Sequence, residues 1–204
     1  MAYILNIETA TTNCSVSLSY KGETLVLKED NSKNYSHAER LHVYIDTVLN
    51  EADISKQQLD AVAVSKGPGS YTGLRIGVSA AKGLCFALDV PLIAISTLQS
   101  LALQSNTTEG LVIPLLDARR MEVYSAIFDN NNQCLREVQA QIIEPSSFSE
   151  FLEKGKSGFG SPTGDWLRQS LRQELESYIE PDMLKEQGIF NVAEVASIEK
   201  IVGQ

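Results

Sequence analysis

What most limits the fold of this chain is a pattern met twice. Tyr3 to Glu8 is a short apolar run ending in an acid, Cys14 to Tyr20 alternates Cys, Val, Leu and Tyr with Ser15, Ser17 and Ser19, and Lys21-Gly22 turns into a third run, Glu23 to Lys28. Alternation with period two marks a strand with one face in the core. The first thirty residues therefore predict a three-stranded meander. About 108 residues later, Leu111 to Asp117 is again an apolar run ending in an acid, Glu122 to Phe128 is again a strand, and Asn130-Asn131-Asn132 turns into a strand through Leu135 and Val138. Duplication of one strand-strand-strand-helix unit accounts for this recurrence, though meanders are common enough that coincidence stays open. The polar stretch Asn106-Thr107-Thr108-Glu109-Gly110 suits a domain junction. Two lobes are expected, 1–107 and 108–204, with a last helix near 193–201 returning to the first lobe.

Between the meanders the periodicity changes. From Ser36 to Ala52, the residues Leu41, Tyr44, Ile45, Val48, Leu49 and Ala52 recur at spacings of three and four. This predicts an amphipathic helix, with Ser36 as N-cap and Glu39 at capping-box distance. Ala61 to Ser65 reads as a strand, Thr72 to Leu88 as a long apolar helix, Pro91 to Ile95 as a strand and Thr97 to Gln104 as a helix. Later helices are expected at Ser146 to Lys154, Asp165 to Gln173 and Ala193 to Ile201.

The helix from Thr72 to Leu88 is apolar almost all round, with Ser79 and Lys82 as nearly its whole polar face, and such a helix is covered on every side. Gly73, Gly77, Ala80, Ala81, Gly83 and Ala87 add small side chains at spacings that admit a second helix at close range. One side can face the chain's own sheet. The other is covered either by the rest of the chain or by a partner. Five apolar side chains left in water would forgo about 1.5 to 3 kcal/mol each, which favours a partner.

Charge excludes a direct nucleic-acid grip. The chain has 17 Lys and Arg against 26 Asp and Glu, net −9; residues 1–105 hold 10 acids and 8 bases, and 106–204 hold 16 acids and 9 bases. Neither half supplies the basic stripe that phosphate binding needs. The three cysteines, Cys14, Cys85 and Cys134, form no C-x-x-C pair and no disulfide framework. The start of the chain lacks a signal-peptide pattern, and Asp89 and Pro91 interrupt its most apolar stretch. A cytoplasmic chain without a membrane span is expected.

The loop Lys66-Gly67-Pro68-Gly69-Ser70-Tyr71-Thr72-Gly73-Leu74-Arg75-Ile76-Gly77 lies between a strand and a helix, where backbone N–H groups can hold an anion. Its glycine spacing fits neither the dinucleotide fingerprint nor the P-loop. A turn in which Ser70 or Thr72 caps the helix and a nucleotide loop both remain open. His37 and His42 are five residues apart, about 140° around a helix, which is wrong for a shared metal and agrees with solvated side chains. Glu8 and Asp117, each ending the first strand of its unit, could in principle share Mg²⁺; as strand-end acids they are also ordinary loop residues.

Several segments together resemble the TsaB (YeaZ-type) family. These are Ile7-Glu8-Thr9-Ala10-Thr11, Ser36-His37-Ala38-Glu39-Arg40-Leu41, the loop from Lys66 to Gly77, Ala81-Lys82-Gly83-Leu84, and Leu116-Asp117-Ala118-Arg119-Arg120-Met121-Glu122-Val123-Tyr124. The likeness covers roughly residues 2 to 128. It implies a duplicated actin-like (ASKHA, ribonuclease-H-like) α/β fold with two lobes, each a mixed sheet with flanking helices. It also implies a part in making threonylcarbamoyladenosine at position 37 of tRNA, as a non-catalytic paralogue, a pseudoenzyme, of the catalytic subunit TsaD.

In TsaD a His-x-x-x-His pair holds the metal, and the matching positions here are Thr97 and Leu101, a hydroxyl and an isobutyl group that cannot replace two imidazoles. Glu8 stands where the family usually has Asp. By resemblance, TsaD would pack on Leu41, Tyr44, Ile45, Val48, Ile76, Ala80, Gly83, Leu84 and Ala87, TsaE, an ATPase, would dock on that heterodimer, and the chain alone would form a homodimer. tRNA would be met only indirectly. ATP or ADP at the boundary with TsaD would involve Arg75, Arg119 and Arg120. The competing expectations are a Gcp-type metal-dependent glycoprotease and an autonomous actin-like ATPase.

Overall fold

A computed structural model describes residues 2–30, 37–105, 110–120, 122–144 and 147–151. Two compact units meet in the chain between Gln104 and Ser105. In the first, β1 (Tyr3–Glu8), β2 (Cys14–Tyr20) and β3 (Glu23–Asp30) form the expected antiparallel meander. Then come α1 (His37–Glu51), β4 (Ala61–Gly67), α2 (Tyr71–Leu88), β5 (Leu92–Ser96) and α3 (Thr97–Leu103). β4 pairs parallel to β1, and β5 parallel to β4, so the sheet order is β3-β2-β1-β4-β5. An antiparallel meander extended by parallel strands that arrive through helices is the actin-like, ribonuclease-H-like α/β arrangement.

Alternation in the strands decides which face carries the helices. Leu5, Ile7, Val16, Leu18, Val62 and Val64 point to one side, where Leu41, Ile45, Val48 and Leu49 of α1 and Ala81 of α2 complete the core. Thirteen fully buried residues in one cluster make this the main stabilising element, each Leu, Ile or Val contributing about 1.5 to 3 kcal/mol. The other face is polar at its centre. Ser15, Ser17 and Ser19, expected to face solvent, are buried, and the Asn6 amide donates to the hydroxyls of Ser17 (3.1 Å) and Ser19 (3.2 Å), giving two of the three a partner within that face. Tyr3 and Tyr20, directly opposite in register, stack at 4.5 Å.

In the second unit, β7 (Leu115–Arg119), β8 (Glu122–Asp129) and β9 (Cys134–Ile142) repeat the antiparallel meander. The run expected as a single strand over Leu111 to Asp117 is broken. Its first part is β6 (Leu111–Val112), which pairs with Phe128 and Asp129, while β7 pairs with Glu122 to Ser125 farther along β8. Pro114, which has no N–H to give to the ladder, lies in the gap. Among the described residues this sheet is antiparallel throughout, not mixed. Leu115, Ile127 and Phe148 form its core, and Arg136 spans it, reaching Ser125 Oγ at 2.5 Å and lying over the rings of Phe148 and Phe151.

Of the helix expected over Ser146 to Lys154, Ser147 and Phe148 form a turn and Ser149 to Phe151 are helical; its remaining residues and the helices expected at Asp165 to Gln173 and Ala193 to Ile201 lie outside the described residues, as does Ser36. No described helix is long and apolar enough to cross a membrane.

Candidate partner-docking surface

The glycines of the long loop serve the lobe's own backbone. Ser70 N donates to Ala10 O at 2.6 Å, which draws the β1–β2 turn onto the start of α2. A Cβ on Gly69 would strike the Ala10 backbone, one on Gly73 the Thr9 carbonyl, and one on Gly77 the Thr9 hydroxyl. Spacing four apart thus builds a seam where turn and helix touch without side chains between them. Close approach of another helix was expected from the small residues, but Gly73, Gly77 and Ala81 are turned inward, toward the β1–β2 turn and the lobe's own core.

The same seam sets what surrounds the start of α2. Of the two candidate caps, Ser70 is the one used: its Oγ accepts from Gly73 N at 3.3 Å. The N–H of Leu74 bonds Ser70 O, and the carbonyls of Thr9 and Ala10 cover the helix start. Carbonyl oxygens facing the helix N-terminus disfavour an anion there. Glu8 sits behind the turn, its Oε1 accepting from Ala10 N at 2.6 Å and its Oε2 from the Ser65 hydroxyl. Burial raises its pKa to about 7. Asp117, by contrast, is exposed within β7. Among the described residues no three metal-ligating side chains converge. The positions matched to the metal-binding histidines, Thr97 and Leu101, lie on α3, with Thr97 buried.

His37 is buried, not solvated. Its Nε2 lies 2.8 Å from Thr11 O, and since a carbonyl only accepts, Nε2 carries the proton. His42 is exposed, as expected. Cys14 is a buried thiol whose pKa burial pushes up to about 11, the opposite of the shift that activates a cysteine nucleophile.

What the described residues leave uncovered is the outer side of α2. Ile76, Ala80, Gly83, Leu84 and Ala87 fall within an arc of about 100°. Ile76, Ala80 and Leu84 are half-buried; Gly83 and Ala87 are exposed, and nothing lies within 4 Å of where a Gly83 Cβ would stand. With Ala38 and His42 of α1, all but Ala87 of these line an open groove of about 670 Å³, to which Thr72, Arg75 and Ser79 also contribute. Phe86 is 92% exposed, Tyr71 75% and Val43 of α1 58%.

The expected interface must be corrected at three positions. Leu41, Ile45 and Val48 are in the core against the sheet and cannot touch a partner, because the single apolar stripe of α1 is used up there. Tyr44, at the edge of that stripe, is half-buried and accepts from Arg40 Nη1 at 3.2 Å. Of the three arginines, Arg75 is exposed on α2, 5.4 Å over the Tyr71 ring. Arg119 ends β7 and Arg120 follows it in the turn, exposed and with φ 56°; both belong to the second unit. Phe86, the most exposed aromatic of the helix, was not expected in the surface, although its place on an all-apolar helix signals it.

Residues 30–169 match the family model described as TsaD: tRNA N6-adenosine threonylcarbamoyltransferase. The chain is 36% identical over 135 residues to the tRNA threonylcarbamoyladenosine biosynthesis protein TsaB of Bacillus subtilis (strain 168), covering 66% of this chain and 58% of that protein. It is 30% identical over 190 residues to TsaB of Escherichia coli (strain K12), covering 91% and 77%. Against the Haemophilus influenzae TsaB the match spans 51% of the relative, so the chain covers little more than half the length of some relatives it resembles. The solved structure of YeaZ from Pseudomonas aeruginosa superimposes with a TM-score of 0.61 at 30% identity, over 72% of this chain and 69% of that one.

Proposed function

Because the chain belongs to the TsaB family of tRNA threonylcarbamoyladenosine biosynthesis proteins, we propose that it is a non-catalytic docking subunit for TsaD, the family's catalytic paralogue, in threonylcarbamoyl transfer to adenosine 37 of tRNA. One observation carries this reading: among the described residues of its lobe nothing covers the outer face of α2, with Phe86 almost wholly in solvent beside the groove floored by Ala80 and Leu84. Such a face costs solubility unless a partner covers it. TsaE then meets the heterodimer, tRNA is held by the other subunits, in keeping with a net charge of −9, and the chain alone pairs with a second copy through the same face.

An autonomous ATPase would need phosphate room at the β1–β2 turn, where the carbonyls of Thr9 and Ala10 lie against α2. The metal-dependent protease reading has no histidine pair at Thr97 and Leu101 to stand on. The deciding experiment is a pull-down with TsaD of the same organism, comparing the wild-type chain with Ala80→Glu and Leu84→Glu, each checked for folding by circular dichroism. Capture is lost with both variants if α2 is the docking face. Undiminished capture of both folded variants overturns the reading.

A further inference from the structure

The exposed face of α2 carries the charge sign that the chain as a whole lacks. From Ala61 to Leu88 there is no Asp or Glu, while Lys66, Arg75 and Lys82 are present, in a chain of net charge −9. Three other cations of the first unit are paired, Lys28 with Glu51 at 2.8 Å, Arg40 with Asp30 at 3.0 Å, and Lys56 with Asp46 at 2.7 Å, while Lys21 lies over the Tyr20 ring. Arg75 and Lys82 are both exposed, and among the described residues neither has a carboxylate within ion-pair distance.

Their position gives this meaning. Arg75, Ser79, Lys82 and Phe86 follow at steps of four, three and four, within an arc of about 60°. That row runs alongside the groove floor of Ile76, Ala80 and Gly83, and Arg75 itself lines the groove. Among the described residues no acid lines it. The groove is therefore an apolar channel edged by two unpaired cations two helical turns apart, about 10 Å along the axis.

We propose that this groove is shaped for a helix of a different protein that presents carboxylates two turns apart to Arg75 and Lys82, and that this charge match selects such a partner over a second copy of the chain. The inference rests on the docking reading above and adds the partner's chemistry. Apolar contact is non-directional and accepts either occupant. A second copy of α2 brings Arg75 and Lys82 against Arg75 and Lys82, and of the acids on its α1 only Glu39 is without an ion pair among the described residues, Asp46 and Glu51 already having Lys56 and Lys28, so a second copy offers one such carboxylate and not two. Charges beside an apolar contact act chiefly on partner choice and on the rate of encounter.

Opposite salt dependences separate the two occupants. Binding of the full chain to TsaD of the same organism is measured by calorimetry from 50 to 500 mM NaCl, and self-association by sedimentation over the same range. The wild-type affinity for TsaD is expected to fall about ten-fold across the series, whereas self-association strengthens as salt screens the like charges. The double variant Arg75→Glu/Lys82→Glu is expected to bind TsaD about ten-fold more weakly at 50 mM NaCl and to lose most of the salt slope. If that variant binds with wild-type affinity and slope while Leu84→Glu does not bind, the charge selection is overturned and the docking reading stands. Self-association that weakens with salt also overturns the charge selection. Wild-type binding by a folded Leu84→Glu would instead remove the docking reading itself.

Discussion

The hydroxyl of Ser65, at the end of β4, donates to the Oε2 of Glu8, at the end of the neighbouring strand β1, in the interior of the first unit. The other oxygen, Oε1, accepts from Ala10 N at 2.6 Å, and burial outweighs these bonds in raising the carboxyl pKa from 4.5 to about 7. A group that holds its proton more tightly folded than unfolded stabilises fully below its unfolded pKa, and that contribution is lost as pH rises through the folded one. Stability is thus expected to fall between about pH 4.5 and 7, by about 3 kcal/mol for a shift of this size. Glu8→Gln keeps an acceptor for Ala10 and removes the titration. Urea unfolding at pH 5 and pH 8 is expected to give midpoints farther apart for the wild type than for the variant, with the variant the more stable at pH 8. Equal pH slopes in the two proteins would refute the account.

The same substitution on one helix should change sign with position. At Gly77 a Cβ overlaps the Thr9 hydroxyl and at Gly73 the Thr9 carbonyl, so alanine there forces α2 off the turn. Overpacking of this kind costs about 1 to 3 kcal/mol. At Gly83 the space is open, and alanine gains about 0.5 to 1 kcal/mol of helix propensity. Chemical denaturation of Gly77→Ala and Gly83→Ala against wild type reads both signs at once.

Much of this architecture is legible in the sequence because it rests on local periods. Alternation in Cys14 to Tyr20 and the three-and-four spacing after Leu41 each name an element, and the small residues Gly73 and Gly77 announce a close approach, though of another helix and not of the β1–β2 turn that meets them. Periodicity does not say what an apolar stripe meets. Leu41, Ile45 and Val48 read equally well as interface or core until β2 and β3 are seen beneath α1. His37 is harder still, since its partner Thr11 is 26 residues away and a lone histidine at a helix start has no pattern to betray it. The groove of α1 and α2 is likewise a product of packing, though its one-sided charge is plain in the absence of acids from Ala61 to Leu88.

Core and docking face can be separated by two leucines. Leu41 is buried and Leu84 half-buried on the groove. Leu41→Ala is expected to cost about 2 to 5 kcal/mol in urea unfolding, and to leave affinity for TsaD near wild type at a temperature where the variant is folded. Leu84→Ala should lower that affinity more than it lowers stability. Reversal of the two effects would place the docking face on α1.

The β1–β2 turn joins both helices of the groove, and His37 is its link to α1. The imidazole donates to Thr11 O at 2.8 Å, and its Cδ2 would lie 3.1 Å from a Cβ at Gly73, so one ring fills the corner between the turn, α1 and α2. His37→Ala leaves the Thr11 carbonyl without that donor and opens a space beside Gly73. An unsatisfied buried acceptor costs about 1 to 3 kcal/mol. The first turn of α1 should therefore loosen while α2 stays anchored through Ser70 N and Ala10 O. Amide hydrogen exchange is expected to quicken in the first turn of α1 and to change little from Leu74 to Leu88. Because Ala38 and His42 form the α1 wall of the groove, affinity for TsaD should fall as well, although His37 touches no partner. Uniform loss of protection across both helices would mean that His37 supports the whole lobe and not this corner.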